Sequence, residues 1–141
     1  MALFNWSDQY SVGIPSMDTQ HQRLFEILNE LHSAMKTGKA TQAISTALDE
    51  LIDYTRYHFR EEEALMEQIH YPDLPEQKQA HQNLLLQLKE LKQELKNGKT
   101  TLVAIKVSKT VLEWLKNHTT KMDKKYEQYM KANGIKLDDN V

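Results

Sequence analysis

The residues of this chain that could do chemistry are its histidines and a few carboxylates, and their spacing sorts them. His58 and Glu62 lie four apart in the run His58-Phe59-Arg60-Glu61-Glu62, so on a helix they share one face. That face is otherwise apolar: Ile44, Leu48, Leu51, Thr55, His58, Glu62, Leu65 and Ile69 recur at alternating steps of three and four, the period of a buried helical stripe. A carboxylate in such a stripe costs several kcal/mol, roughly, unless a partner compensates it. His21, His81 and Gln77 fall on apolar stripes of their own, and His118 and Asp123 flank a fourth. Imidazole nitrogens and carboxylate oxygens suit iron, zinc, copper or manganese, and two carboxylates that can bridge favour a two-metal centre inside a helical bundle.

The elements that must position these residues follow from the same periodicity. Residues 1–16, with Trp6, Tyr10, Gly13 and Pro15, show no helical period and read as an extended N-terminal arm whose aromatics pack on the domain. A first helix over roughly 17–37, capped by Ser16 or Asp18 and stopped by Gly38, carries Met17, His21, Leu24, Leu28, Leu31 and Met35. The second spans about 41–69 and ends before Tyr71-Pro72. The third, about 74–97 with Asp73 as its cap, carries Gln77, His81, Leu84, Leu88, Leu91 and Leu95. The fourth, about 101–132, carries Ile105, Ser108, Leu112, Leu115, Thr119, Met122, Tyr126 and Tyr129. Four such helices with short connections predict an all-α, up-down-up-down four-helix bundle forming one domain over 1–141, with the tail after Gly134 loosely held.

Antiparallel packing then makes a geometric statement. The start of the first helix, the end of the second, the start of the third and the end of the fourth share one end of the bundle. His21, His58, Glu62, Gln77, His81, His118 and Asp123 all fall towards that end, which scattered core histidines would not do. His32 lies off the stripe and His70 lies in a turn, so both read as solvated or as local caps. Glu67 and His70 form one Glu-x-x-His pair at a helix end, whereas carboxylate-rich di-iron bundles need that pair inward on two helices. His118 and Asp123 are five apart, about 140° round a regular helix, and reach one metal pair only by flanking the stripe or through a local π-type widening.

Composition narrows the function classes. A formal net charge of -2, with 27% charged residues intermixed and no basic cluster, argues against nucleic acid or an anionic membrane surface as partner. Without cysteine there is no disulfide, thiolate zinc site or thiol catalysis. The absence of a signal peptide or long apolar run predicts a soluble cytoplasmic protein without membrane insertion.

Taken together, Trp6, Val12-Gly13-Ile14, Met17-Asp18-Thr19-Gln20-His21, His58-Phe59-Arg60-Glu61-Glu62, Tyr71-Pro72 through His81, and Trp114-Leu115-Lys116-Asn117-His118 with Asp123 resemble the bacterial hemerythrins over nearly the whole chain. The resemblance implies a non-haem di-iron centre, two iron ions joined by two carboxylates and an oxo or hydroxo group, that binds dioxygen reversibly. On that likeness Glu62 and Asp123 bridge, His21 and His58 ligate the iron with the open position, and His81 and His118 ligate the other. Leu115 matches an apolar gate of the oxygen pocket, and Trp114 and Thr119 belong with it. Two positions depart from the family pattern: Gln77 stands where a histidine is expected, and Thr119 where isoleucine is usual. Gln77 offers only a neutral amide oxygen, or leaves its position to water. The implied function is non-enzymatic oxygen storage, delivery or sensing; the alternative is a di-iron redox enzyme acting on peroxide, nitric oxide or dioxygen through the altered coordination at Gln77. A third reading is an interaction module with a structural metal, and no protein partner is named by the sequence.

Overall fold

The computed structural model describes residues 5–38 and 41–135. Expectations for the first four residues and for the tail beyond 135 lie outside the described residues. The chain forms helices α1 (Pro15–Lys36), α2 (Thr41–Gln68) and α3 (Leu74–Lys96), then a continuous helix α4 over 100–132. Helix α4 contains two π-helical turns, Val107–Val111 and His118–Met122. No strand occurs among the described residues, and the four helices pack as a four-helix bundle.

Local chemistry sets the ends of the helices. Pro15 occupies the first turn of α1, where its missing N–H costs nothing. Neither Ser16 nor Asp18 caps that helix, contrary to expectation, because Ile14 stands at the N-cap. Asp18 lies inside the first turn, where its carboxylate accepts from the Ser11 hydroxyl and from the Val12 N–H at 2.8 Å, tying the arm to the helix. Asp73 stands at the N-cap of α3 but makes no side-chain capping bond. Helix α2 ends with His70 at φ 55, while the Tyr71 N–H reaches the Met66 carbonyl and the His70 N–H that of Glu67, a Schellman closure with histidine in the left-handed position.

The stripes of α1, α2 and α3 face inward, apart from half-buried Met35, and every one of the six α3 positions is buried. The first half of α4 differs. Val103, Val107 and Val111 are buried there, while Ile105 is 49% exposed and Ser108 half-buried. A π turn holds one residue more than an α turn, so a 3.6-residue period extended back from Leu112 through Val107–Val111 slips by one position. The second π turn repeats the slip, burying Asp123, Tyr126 and Met130 and leaving Met122 and Tyr129 half-buried.

Two apolar clusters bracket a polar layer. The larger, with Leu24, Leu28, Leu51, Leu84, Leu88 and Leu115, fills most of the bundle. The smaller, with Met17, Leu65, Met66, Ile69, Tyr126 and Met130, closes the end, and Val12 and Ile14 of the arm pack into it. Between them comes Gly13, whose φ of 73 is a left-handed conformation that strains any residue with a side chain, and a Cβ there would also displace the Glu127 carboxylate. Further back along the arm, Trp6 lies 5.7 Å from the Tyr10 ring and 6.4 Å from that of Phe25 on α1.

Candidate metal centre

Each helix sends at least one polar side chain into the bracketed layer: His21 from α1, His58 and Glu62 from α2, Gln77 and His81 from α3, His118 and Asp123 from α4. All seven are at most 6% exposed. The π turn His118–Met122 brings the two α4 residues together, since five residues make about one turn of a π-helix, and the His118 Nε2 lies 3.1 Å from the Asp123 Oδ1.

The two carboxylates lie at the middle, and each turns its two oxygens to different imidazoles. Glu62 Oε2 lies 3.1 Å from the His21 Nε2 and 3.6 Å from the His58 Nε2, while Glu62 Oε1 lies 3.1 Å from the His81 Nε2. Asp123 Oδ2 lies 3.3 Å from the His21 Nε2, whereas its Oδ1 faces His118 and receives the Gln77 Nε2–H at 3.3 Å. His81 and His118 bring their Nε2 atoms to 3.0 Å. Ligands at right angles on one ion, with bonds of about 2.1 Å, stand about 3 Å apart, so this spacing suits shared coordination. Two overlapping sets, Glu62-His81-His118-Asp123 and His21-His58-Glu62, each place their ligand atoms within 4.8 Å of one another. Gln77 Oε1 has no hydrogen-bond donor, and a cation would supply what this buried acceptor lacks.

The electrostatics of the metal-free layer suit the same group. Burial opposes charge on His21, but hydrogen bonds with Asp123 and Glu62 outweigh it and raise its pKa to about 10. Burial likewise opposes His81, which Glu62 and Glu63 bring up to about 9. Burial drives His58 down to about 3 although the Glu62 charge opposes it. For the carboxylates burial acts upward, yet the surrounding imidazoles hold Glu62 well below its ordinary value and Asp123 below its own. At neutral pH two imidazolium groups therefore balance two carboxylates, and a pair of cations would take the place of those protons.

The structure adds residues that the periodicity did not single out for a role. The His58 Nδ1 pairs with the Gln20 Oε1 at 2.7 Å and the His81 Nδ1 with the Glu63 Oε2 at 2.8 Å, contacts that orient each ring's other nitrogen inward. The Tyr126 hydroxyl donates to the Glu62 Oε2 at 3.0 Å. Phe59 stacks on His81 with ring centres 3.8 Å apart, and Trp114 on His118 at 4.5 Å. Gln20, Glu63 and Phe59 each sit next to a layer residue in sequence, and that adjacency was their signal. Leu115 and Thr119 are buried at 3% exposure and Trp114 is half-buried. His32 is half-buried and His70 exposed, and neither belongs to the ligand sets.

A four-helix bundle that closes four imidazoles and two carboxylates into one buried layer has the donor set of a histidine–carboxylate cation site. The hemerythrin HHE cation binding domain matches residues 12–130, and the chain belongs to that family. It is 34% identical over 132 residues to a bacteriohemerythrin of Stenotrophomonas maltophilia, covering 94% of this chain and 84% of that protein. With a bacteriohemerythrin of Methylococcus capsulatus it shares 32% identity over 133 residues, covering 94% and 100%. A crystal structure of wild-type hemerythrin matches at a TM-score of 0.80 and 30% identity, over 90% of this chain and 97% of the other.

Proposed function

We propose that the chain, acting as a single domain in the cytoplasm, is a non-haem di-iron protein that binds dioxygen reversibly for storage, delivery or sensing and is not an enzyme. The observation that carries this reading is the split of each carboxylate: one oxygen of Glu62 and one of Asp123 face His21, the others face His81 and His118. Glu62 and Asp123 would bridge two ions, with His21 and His58 on one and His81 and His118 on the other. The Gln77 amide completes the second side weakly or leaves its position to water. Bound there, a ferrous pair supplies the two electrons and the open coordination position with which dioxygen is captured and released. Gln20 and Glu63 hold the rings of His58 and His81 in register. Leu115, Thr119 and Trp114 form the wall of the oxygen pocket, and the apolar clusters on either side keep water and outside reductants away. The family match supports the cation site, and the names of the relatives support the oxygen chemistry. No helix among the described residues is long and apolar enough to cross a membrane.

Iron analysis and a visible spectrum test the reading. The reduced, iron-loaded protein should hold two irons per chain and show in air a charge-transfer band that fades under argon and returns with oxygen. A chain that binds no iron defeats the proposal. Iron that turns over peroxide without a reversible band replaces it with the redox-enzyme alternative.

A further inference from the structure

The linear sequence intermixes its charges, but the fold separates them. Helices α2 and α4 stand at opposite corners of the bundle, each packed against α1 and α3. Helix α2 carries six acidic residues outside the buried layer against two arginines, whereas α4 carries seven lysines against Glu113, Glu127 and the buried Asp123. Four of those lysines, Lys116, Lys121, Lys124 and Lys125, fall within about 14 Å of helix. Lys121 and Lys125 are exposed, and neither they nor Lys124 has an ion pair among the described residues. The same stretch is where the layer comes nearest to solvent. His118 is 6% exposed, whereas the other six layer residues are at most 1% exposed. Its ring lines a cleft of about 300 Å³ together with Trp114, Asn117, Lys121, Met122 and, from α3, Ala80.

We propose that the lysines around this cleft dock a small acidic electron-carrier protein, of the [2Fe–2S] ferredoxin kind, which returns the oxidised centre to its ferrous state. The proposal rests on the iron reading above, which places His118 on the second ion. A carrier seated over the cleft meets the edge of His118, so the electron crosses that ring while the layer stays closed to small reductants. In each encounter the reduced carrier gives one electron to a ferric ion and leaves oxidised; no covalent bond in either protein changes, and a proton from water balances the charge. Two encounters restore the ferrous pair. Charge selects the partner. Opposed patches steer diffusional encounter over roughly 10 Å at physiological salt and suit a protein met briefly over a small area. An extended polyanion, such as a nucleic acid or a membrane surface, would run past the patch onto Glu113 and Glu127, which stand at its two ends.

The test uses the iron-loaded chain, with a reduced plant-type ferredoxin as the probe. Anaerobic stopped flow follows reduction of the ferric protein by loss of its charge-transfer band. The rate constant should fall steeply as salt is raised, and at low salt Lys121→Glu combined with Lys125→Glu should slow it about tenfold or more. Lys78→Glu combined with Lys89→Glu, at exposed lysines of α3, makes the same change in net charge and should leave the rate within about twofold of the parent. Iron content and melting temperature should be parental in both variants. Carbodiimide cross-linking with oxidised ferredoxin, mapped by mass spectrometry, gives a readout that needs no electron transfer and should join Lys121, Lys124 or Lys125 to the carrier. Equal slowing by the two pairs, cross-links confined to α3, or binding of phosphatidylglycerol vesicles through the α4 lysines would overturn the docking site while leaving the iron reading intact. A chain that holds no iron removes the iron reading and, with it, this role for the patch.

Discussion

Exchanging Gln77 for histidine probes how the second half of the centre is built. Gln77 sits one helical turn before His81, 1% exposed, with its Nε2 3.3 Å from the Asp123 Oδ1 and its Oε1 without a donor. As the chain stands, each half of the layer is offered two imidazoles, and Gln77→His would give the His81 and His118 half a third. Even residues that act only through a ligand shift metal affinity about 10–100-fold, so a tightening of that order is a modest expectation for an added imidazole. That corresponds to about 1.4–2.7 kcal/mol. By linkage the same energy stabilises the loaded fold, and a chain of this size should gain roughly 4–10 °C in melting temperature. The metal-free variant should gain nothing, because a further imidazole must then be buried without a partner. Competition with a chromophoric chelator under anaerobic conditions gives the affinities, and calorimetry with and without iron gives the melting temperatures. An unchanged affinity, or an equal gain in the metal-free protein, would refute the placement of Gln77 beside the second ion.

Chelation should lower the melting temperature of the loaded protein by a wide margin, and Glu62→Ala should abolish paired binding, whereas substitutions at His32 or His70 leave the stoichiometry unchanged. Equal melting temperatures with and without metal would refute the buried site. In the metal-free protein His21 and His81 titrate near 10 and 9 rather than 6.5, so their contribution is full below about 6.5 and lost as pH rises through 9–10. His58, held near 3, acts the other way and costs stability as pH falls below 6.5, so urea midpoints should peak near that pH; a midpoint unchanged from pH 7 to 10 would count against the imidazolium pairs. Thr119→Ile should slow autoxidation by drying the pocket, and an unchanged or faster rate would count against its place there. Inserting one alanine after Thr120 should turn Asp123, Tyr126 and Met130 by about 100° and end metal binding. Deleting Thr120 removes the surplus residue of the π turn and should cost much less, so equal losses would contradict the phase argument.

The sequence made most of the bundle legible because α1, α2 and α3 keep one unbroken period, and their inward residues could be counted off directly. Helix α4 could not be counted in this way. Ile105 and Ser108 satisfied the 3.6-residue period as well as Val103 and Val107 did, and only the backbone reveals where a turn holds an extra residue. The same slip explains the five-residue interval between His118 and Asp123, which was legible as an irregularity with two possible resolutions. Convergence of the polar side chains at one end was readable from antiparallel topology alone. Which oxygen faces which ring, and the roles of Gln20, Glu63 and Tyr126, depend on side-chain directions that no linear spacing encodes.

The arm closes one end of the bundle by contacts separate from those that hold the leucine-rich body together. Val12 and Ile14 pack into the cluster that closes the end, and Asp18 fastens the arm through Ser11 and Val12. Detaching that short segment costs only its own few contacts, far less than melting the leucine-rich body. An ion that left past this end would depart at the opening rate of residues 5–14 rather than at the unfolding rate of the whole. A change at Ser11 or Gly13 could shorten metal retention without moving the melting temperature, so that durability of the fold and durability of its cargo vary independently.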